Sequence, residues 1–217
     1  MSNSNRFINI GCGSNPIRGF INYDYNLFIL FGKIPVINIL IEYFKFIPKH
    51  FIDLMKLSKK NTIKYCNASK RIPELNNSVD LIYCCHMLEH LDKYETELFL
   101  NECHRVLKPD GVMRIVVPDF DRLISEYKDH NDVNRFISDS YLVGDKPKTI
   151  IKNLQYLIQG HGWHHQMFTK KSLESVLLFH NYRDIKFFET GETNIDYNVS
   201  INYADFADES IYCEFKK

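Results

Sequence analysis

The sequence predicts an α/β fold in which helices cover both faces of a mostly parallel sheet. Short apolar runs bounded by Gly, Pro, Asn or Asp recur along the chain, which is typical of strands buried in a sheet. Between two of these runs, Tyr94–Leu107 places its apolar side chains at nearly helical spacing and is stopped by Pro109 and Gly111. Strands that alternate with helices in this way favour a parallel sheet.

The same patterns place each predicted element. The strands are predicted at Phe7–Ile10, Phe20–Asp24, Ile63–Cys66, Val79–Cys84, Met113–Val117, Asp184–Phe188 and Ser210–Phe215. A second helix is predicted at Lys170–Phe179, with Thr169 as its N-cap. Ligands of parallel sheets bind beyond the carboxyl ends of the strands, so polar residues at those ends are the candidates for a functional site.

The first strand leads directly into the Gly-X-Gly turn Gly11-Cys12-Gly13, which allows the backbone to approach a ligand closely. Pro16 stands where a dinucleotide-binding loop needs its third glycine, and it lacks an N–H for a pyrophosphate. The loop therefore favours a nucleoside ligand without phosphates over NAD or ATP. Only ten residues separate Gly13 from Asp24, so the first crossover helix is predicted to be vestigial or absent.

Composition restricts the class of protein. The 217 residues are predicted to form a single domain spanning residues 1–217. Lys plus Arg number 27, as do Asp plus Glu, so no overall basic field attracts nucleic acid and no such partner is expected. The six cysteines include no Cys-X-X-Cys pair, which favours buried thiols in a reducing compartment. The polar residues before Phe7 predict no signal peptide, and hence a cytoplasmic protein.

The segment Tyr25–Asn61 is a hydrophobic insert, longer than the core needs between its second and third strands. It is predicted to be helical, and its charges and the breaks at Gly32 and Pro35 exclude a transmembrane helix. Two interpretations remain open. The insert either packs on the sheet or forms a homodimer surface, or it is an apolar lid or interfacial helix that handles a lipid-linked acceptor and contacts a membrane peripherally.

Five further motifs follow one another in a definite order. They are Asn67–Pro73, Ser78–Cys84, His86–Leu91, Arg105–Gly111 and Arg114–Asp119. Together with the Gly-X-Gly loop, their order and spacing closely resembles the class I S-adenosylmethionine-dependent methyltransferases, and within them the small type 11 branch. The resemblance implies a Rossmann-like, doubly wound, mostly parallel seven-stranded sheet with an antiparallel C-terminal edge pair. It also implies S-adenosyl-L-methionine (SAM) as the cofactor.

The resemblance assigns cofactor-binding roles to four places in the chain. The backbone of Gly11–Gly13 is expected to pass under the methionine and ribose parts, and Asp24 to accept hydrogen bonds from the ribose hydroxyls. Asn67 stands where the family often has an adenine-binding Asp, and the Ala68 N–H is expected to face the adenine ring. Asp24 as a turn cap and Asn67 as a strand-end turn are the purely structural alternatives. Asn9 replaces an acidic residue that is common before the loop.

Candidate acceptor-site residues follow the fourth and fifth strands. The family position of His86 implies a place on the floor beneath the transferred methyl group, although a place in the core is equally expected. Asp119 is predicted either to orient the acceptor or to be the N-cap of a helix over Phe120–Tyr127. For Glu89 and His90 a cap at the helix start, or a partly buried hydrogen-bonded pair, is favoured over catalysis.

The His-rich run His161–Gln166 is predicted to be a loop over the acceptor pocket. His164 or His161 is the expected base, since histidine takes up a proton near neutral pH, and Asp119 is expected to orient the base or the acceptor. Histidines this close together also suggest a metal, but a metal needs a carboxylate or cysteine partner that the sequence does not reveal. No metal is therefore predicted.

A SAM-dependent methyltransferase is the leading functional prediction. The habit of the branch implies O-methylation of a small-molecule, sugar or lipid-linked acceptor, such as a sugar hydroxyl of a surface glycan or glycolipid. Methylation of carbon or nitrogen in a quinone or small metabolite is one alternative. A catalytically silent scaffold is another, which Asn9 and Asn67 favour. Pro16 disfavours a nicotinamide oxidoreductase.

Overall fold

The computed structural model describes residues 5–34, 49–144, 148, 162–204, 206 and 209–217. Seven strands form one sheet in the order β3-β2-β1-β4-β5-β7-β6. They are β1 (Phe7–Ile10), β2 (Ile21–Asp24), β3 (Ile63–Tyr65), β4 (Val79–Cys85), β5 (Leu107–Pro118), β6 (Arg183–Phe188) and β7 (Ser210–Lys216). Strands β1 to β5 pair in parallel, whereas β7 lies antiparallel between β5 and β6. The predicted mostly parallel sheet with an antiparallel C-terminal edge pair is confirmed.

The helices are α1 (Phe28–Phe31), α2 (Lys49–Lys59), α3 (Lys93–Val106), α4 (Phe120–His130), α5 (Val133–Ser140) and α6 (Lys170–Phe179), with a 3-10 turn at Leu88–His90. Helices α3 and α6 lie where the sequence predicts them, and each begins with a capping box. Glu89 and His90 were predicted at the start of the helix that follows the fourth strand, but they do not open α3. They belong to the separate 3-10 turn, because Asp92 caps α3 by accepting a hydrogen bond of 2.8 Å from the Glu95 N–H.

The connection between β1 and β2 contains no helix within residues 5–34, as its short length predicted. The sheet also reverses its strand order at β1, which has β2 on one side and β4 on the other. The crevice beyond the carboxyl end of β1 is therefore the topological switch point, where open α/β sheets bind their ligands. The Gly-X-Gly loop lies at this point.

Strand β4 runs through the centre of the sheet and is buried on both faces. Ile82 and Cys84 face the larger cluster of core residues, which includes Phe99 of α3. Leu81 and Tyr83 face the opposite cluster, which aromatic residues of the C-terminal region complete. This alternation follows from the pleat of a strand, which points successive side chains to opposite faces. All six cysteines are free thiols, and none forms a disulfide.

The insert is helical in its described part and packs beside β3. Phe28 of α1 stacks on Phe51 of α2 with ring centroids 4.5 Å apart, and Ile63 of β3 belongs to the same buried cluster. The two helices approach closely at Gly32, where an added Cβ would lie 2.6 Å from the backbone oxygen of Met55. Residues 35–48 lie outside the described residues. Among the described helices, none is both long and apolar enough to cross a bilayer.

Candidate functional site

The loop after β1 folds back onto β2. The N–H groups of Gly11 and Cys12 both donate to the Tyr23 carbonyl oxygen, at 2.9 and 3.2 Å. Gly11 has φ +73° and lies against Met87, so an added Cβ would be 2.6 Å from Met87 Cγ. Gly13 has φ +49° and no atom within 4 Å of where a Cβ would be. The loop is therefore packed on the Gly11 side and open on the Gly13 side.

Asp24 holds this loop from the end of β2. Its Oδ2 accepts a hydrogen bond of 2.8 Å from the Gly13 N–H, and its Oδ1 accepts one of 2.8 Å from the Asn26 N–H. Burial raises the pKa of the Asp24 carboxyl above its ordinary value, although these backbone hydrogen bonds oppose the shift. A carboxylate offers about four lone-pair sites, so sites remain for ligand hydroxyls. The expected turn cap is thus present, and it is compatible with the expected ribose contact.

Asn67 begins the turn that follows β3, as its structural alternative predicted. Its Oδ1 lies 3.2 Å from the Lys70 N–H, and its carbonyl oxygen accepts from the N–H groups of Lys70 and Arg71. The adjacent Ala68 is buried in the core cluster. Both residues lie at the same edge of the sheet as Asp24, so the expected adenine contact has the right position and stays a prediction.

Two side chains of this region, those of Cys12 and Asn9, are buried. Cys12 packs into the cluster formed by the insert, and burial raises the pKa of its thiol far above the ordinary range. Only the backbone of Cys12 is therefore available for the predicted cofactor contact. Asn9 is buried between β1 and β2, where its Nδ2 donates to Asn22 Oδ1 at 3.0 Å.

A cleft of about 550 Å³ opens beyond the carboxyl ends of β4 and β5. Three of the predicted acceptor-site residues, His86, Asp119 and His164, line it together with His90. His161, the fourth predicted residue, lies outside the described residues. Since these side chains come from distant parts of the sequence, the structure confirms that they meet at one edge of the sheet, and their catalytic roles stay predictions.

His86 is held rigidly at the bottom of this cleft. Its φ is +48°, and its N–H donates to the Val116 carbonyl oxygen at 2.9 Å. Its Nε2 lies 2.9 Å from Ser210 Oγ, and its ring lies 3.9 Å from the Phe206 ring, centroid to centroid. A left-handed conformation in a non-glycine residue is uncommon and often marks a functional position. His86 therefore lines the cleft, with its ring fixed from two sides.

Asp119 is the predicted N-cap of the helix after β5, and its role towards an acceptor stays a prediction. Its Oδ1 accepts a hydrogen bond of 3.0 Å from the Asp121 N–H, which makes it the N-cap of α4. Its own N–H donates to the Glu209 carbonyl oxygen at 3.1 Å. The residue is partly exposed in the cleft wall, so capping leaves the carboxylate accessible to an acceptor.

Glu89, His90 and His164 form a cluster at the base of the cleft. Each offers one ligand atom, and these atoms all lie within 4.8 Å of one another. Glu89 is completely buried, and its carbonyl oxygen accepts hydrogen bonds from the N–H groups of His165 and Gln166 at 2.8 and 3.1 Å. These bonds bring the His-rich loop onto the 3-10 turn.

Burial lowers the pKa of His164, while the nearby Glu89 carboxylate raises it and the neighbouring His90 lowers it further. The imidazole is therefore favoured in its neutral form. The pairing of Glu89 with His164 is not predictable from the sequence, because no local pattern joins a turn after β4 to a loop before α6. The only sequence signal is the spacing of His86, Glu89 and His90 over one turn.

Comparison with known proteins agrees with this geometry. The family model described as a methyltransferase domain matches residues 48–115. An uncharacterized protein of Methanocaldococcus jannaschii is 35% identical over 75 residues, which are 35% of this chain and 32% of that protein, so the chain matches about a third of its relative.

Solved structures share the fold. A SAM-dependent methyltransferase from Methanosarcina mazei aligns with a TM-score of 0.55 at 16% identity, covering 100% of this chain and 94% of that one. A SAM-dependent methyltransferase from Archaeoglobus fulgidus aligns with a TM-score of 0.49 at 17% identity, covering 98% and 86%.

The fold is thus the Rossmann-like fold of class I methyltransferases. Residues 48–115 are similar to a methyltransferase domain, and the chain has the fold of a SAM-dependent methyltransferase. These findings agree with the predicted type 11-like resemblance, enzyme class and cofactor.

Proposed function

We propose that the chain transfers the methyl group of SAM to a hydroxyl of a small polar acceptor, such as a sugar of a surface glycan or glycolipid. The observation that carries this proposal is the polar cleft beyond β4 and β5, at the same edge of the sheet as the Gly-X-Gly loop. In the reaction an oxygen–carbon bond forms as the carbon–sulfur bond breaks, and the hydroxyl proton passes to a base. Since the cofactor supplies the activated methyl group, the protein must align the atoms and exclude water.

The loop after β1 provides the cofactor end of this arrangement. Gly13 leaves open space beside its backbone, and Asp24 has lone pairs left for two ribose hydroxyls. Because Asp24 also accepts from the Gly13 N–H, the carboxylate and the loop are positioned as one unit. Cofactor binding is therefore expected to depend strongly on Asp24.

The charges of the cleft disfavour an anionic acceptor. Arg122 Nε donates to Glu126 Oε1 at 2.9 Å, and Arg135 Nε donates to Asp139 Oδ2 at 3.3 Å. Each arginine is thereby neutralised by its own helix neighbour, which disfavours a strongly anionic acceptor. Arg122 Nη1 is buried and has no hydrogen-bond partner among the described residues, so it is a donor available to an acceptor oxygen.

Of the two histidines predicted as the general base, His164 is the one that lies within the described residues. Its lowered pKa keeps the imidazole neutral near neutral pH, so the ring is able to accept a proton. Since positioning supplies much of the rate in methyl transfer, replacement is expected to reduce turnover rather than abolish it. His164→Ala is expected to lower the turnover about 10²–10⁴-fold, the usual contribution of a general base, while the affinity for SAM stays nearly unchanged.

The test begins with calorimetric titration of the protein with SAM, S-adenosylhomocysteine and NAD. Saturable binding of the first two, lost in Asp24→Ala, is expected. Release of S-adenosylhomocysteine is then measured with panels of sugars, glycolipids, phenols and amines, and the methylated atom is located by NMR with a ¹³C-labelled methyl group. His165→Ala is the matched control for His164→Ala, since His165 is exposed in the same loop.

The outcomes separate the alternatives. Methyl transfer to hydroxyl groups supports the proposal, whereas transfer confined to nitrogen or carbon overturns the choice of acceptor. A folded protein that binds neither SAM nor S-adenosylhomocysteine overturns the enzymatic proposal and leaves the scaffold. Equal loss of turnover in His164→Ala and His165→Ala would assign the loop a structural role.

A further inference from the structure

Glu89 is an unusual carboxylate, because it is completely buried and neither of its oxygens accepts a hydrogen bond from the described residues. His86 Nδ1 lies 3.2 Å from Oε1, yet without the alignment of a hydrogen bond. Burying a charged carboxylate without partners is costly, and buried polar groups in folded proteins are almost always satisfied. A bound cation would supply the partners that the contact with His86 does not.

The imidazoles beside Glu89 are arranged as metal ligands are. His90 Nδ1 lies 3.1 Å from the Trp163 carbonyl oxygen, which fixes the N–H on that atom and leaves Nε2 with its lone pair. His164 Nδ1 is buried, and it has no hydrogen-bond partner within the part of the chain that the structure describes. Histidines that bind metals commonly donate their other N–H to a backbone carbonyl, which sets the orientation of the ring.

We propose that Glu89, His90 and His164 bind a divalent first-row transition-metal ion at the base of the acceptor cleft. Two imidazoles and one carboxylate are a donor set that suits zinc, manganese or iron and leaves coordination positions open. The ligand atoms lie within 4.8 Å of one another, so shifts of about 1 Å bring them to the roughly 2.0–2.2 Å at which such ions are bound. His90 and His164 also line the cleft, so the open positions face the acceptor.

The catalytic consequence rests on the proposed function. A hydroxyl bound to the ion has a lowered pKa, so its oxygen becomes a better nucleophile towards the methyl carbon. The oxygen–carbon bond forms, the carbon–sulfur bond breaks, and the hydroxyl proton leaves to Asp119 or to solvent. His164 then acts as a ligand of the ion, and the effect of its replacement on turnover arises through the ion.

The test is metal binding by tag-free protein that has been treated with a chelator and dialysed. Calorimetric titration with ZnCl₂ and MnCl₂, and visible absorption with CoCl₂, are expected to show one ion per chain. Glu89→Gln and His164→Ala are expected to weaken binding by about 100-fold or more, beyond the loss typical of outer-shell changes. His165→Ala is the matched control. The substitution preserves the hydrogen bond from the backbone N–H of residue 165 to the Glu89 carbonyl oxygen, and the His165 side chain lies outside the cluster.

A second measurement requires no variant. The unfolding temperature of the wild-type protein is expected to rise with Zn²⁺ concentration, since an ion that binds only the folded state stabilises it. If the folded wild-type protein does not bind a metal ion stoichiometrically, the proposal is overturned. It is also overturned if His165→Ala abolishes metal binding and Glu89→Gln does not. If ions bind but chelator-treated protein methylates its acceptor at the full rate, the site stands and its catalytic role is refuted. Metal binding without any methyl transfer refutes only the proposed function.

Discussion

Gly11→Ala tests whether the packing of the Gly-X-Gly loop is as close as the structure indicates. Alanine at φ +73° costs about 1–2 kcal/mol, because the left-handed conformation crowds its Cβ. The new Cβ would also lie 2.6 Å from Met87 Cγ and 2.7 Å from Met87 Cβ. Neither atom is at the flexible end of that side chain, so Met87 must move, at a further cost of about 1–3 kcal/mol. The expected loss in the free energy of unfolding is about 2–5 kcal/mol.

Gly13→Ala is the matched control for this prediction. Gly13 also has a positive φ, of +49°, but its Cβ would meet no atom within 4 Å. Only the conformational cost of about 1–2 kcal/mol therefore applies. The new Cβ would instead occupy the open side of the loop, where SAM is expected to bind. Gly13→Ala is therefore expected to reduce the free energy of SAM binding by more than it reduces the free energy of unfolding.

Urea unfolding followed by circular dichroism measures both variants, and calorimetry measures their affinity for SAM. A double-mutant cycle with Met87→Gly, which removes both contacting atoms, is expected to show a coupling free energy of about 1 kcal/mol or more. Equal destabilisation by Gly11→Ala and Gly13→Ala, or no coupling to Met87, would refute the argument from close packing.

Two further predictions concern buried charges. The affinity for SAM is expected to fall as pH falls through the raised pKa of the Asp24 carboxyl, because protonation removes acceptor capacity. That loss should occur above the usual pH range of an aspartate and be absent in Asp24→Asn, as calorimetry across pH will show. Arg114→Met is expected to reduce the free energy of unfolding by about 3–5 kcal/mol, since it leaves the buried Glu214 without its ion-pair partner. In the double variant with Glu214→Gln, much of the lost free energy of unfolding should be recovered, as urea unfolding will measure. No recovery would contradict the argument that the unpaired charge of Glu214 causes the loss.

The boundaries of the elements were largely predictable because local patterns determine them. β1 and α6 match their predicted ranges, and α3 is displaced by a single residue at each end. Strand β5 was predicted as Met113–Val117 but extends over Leu107–Pro118, since its pairing with β4 includes Leu107. Pairing with a neighbouring strand is a tertiary interaction, so periodicity within the segment did not predict these additional residues.

The sequence by itself determined the parallel sheet, the helix-free link after β1, and the positions of Asp24 and Asp119 at strand ends. The periodicity of apolar residues, the capping residues and the glycines each act over a few positions of the chain, so these features are predictable without a structure. Only the tertiary structure decided what surrounds them. It joined His86 to Ser210, 124 positions away, and it brought the buried carboxylate of Glu89 beside His164. Such contacts depend on how the sheet and its loops pack together, and no local pattern encodes them.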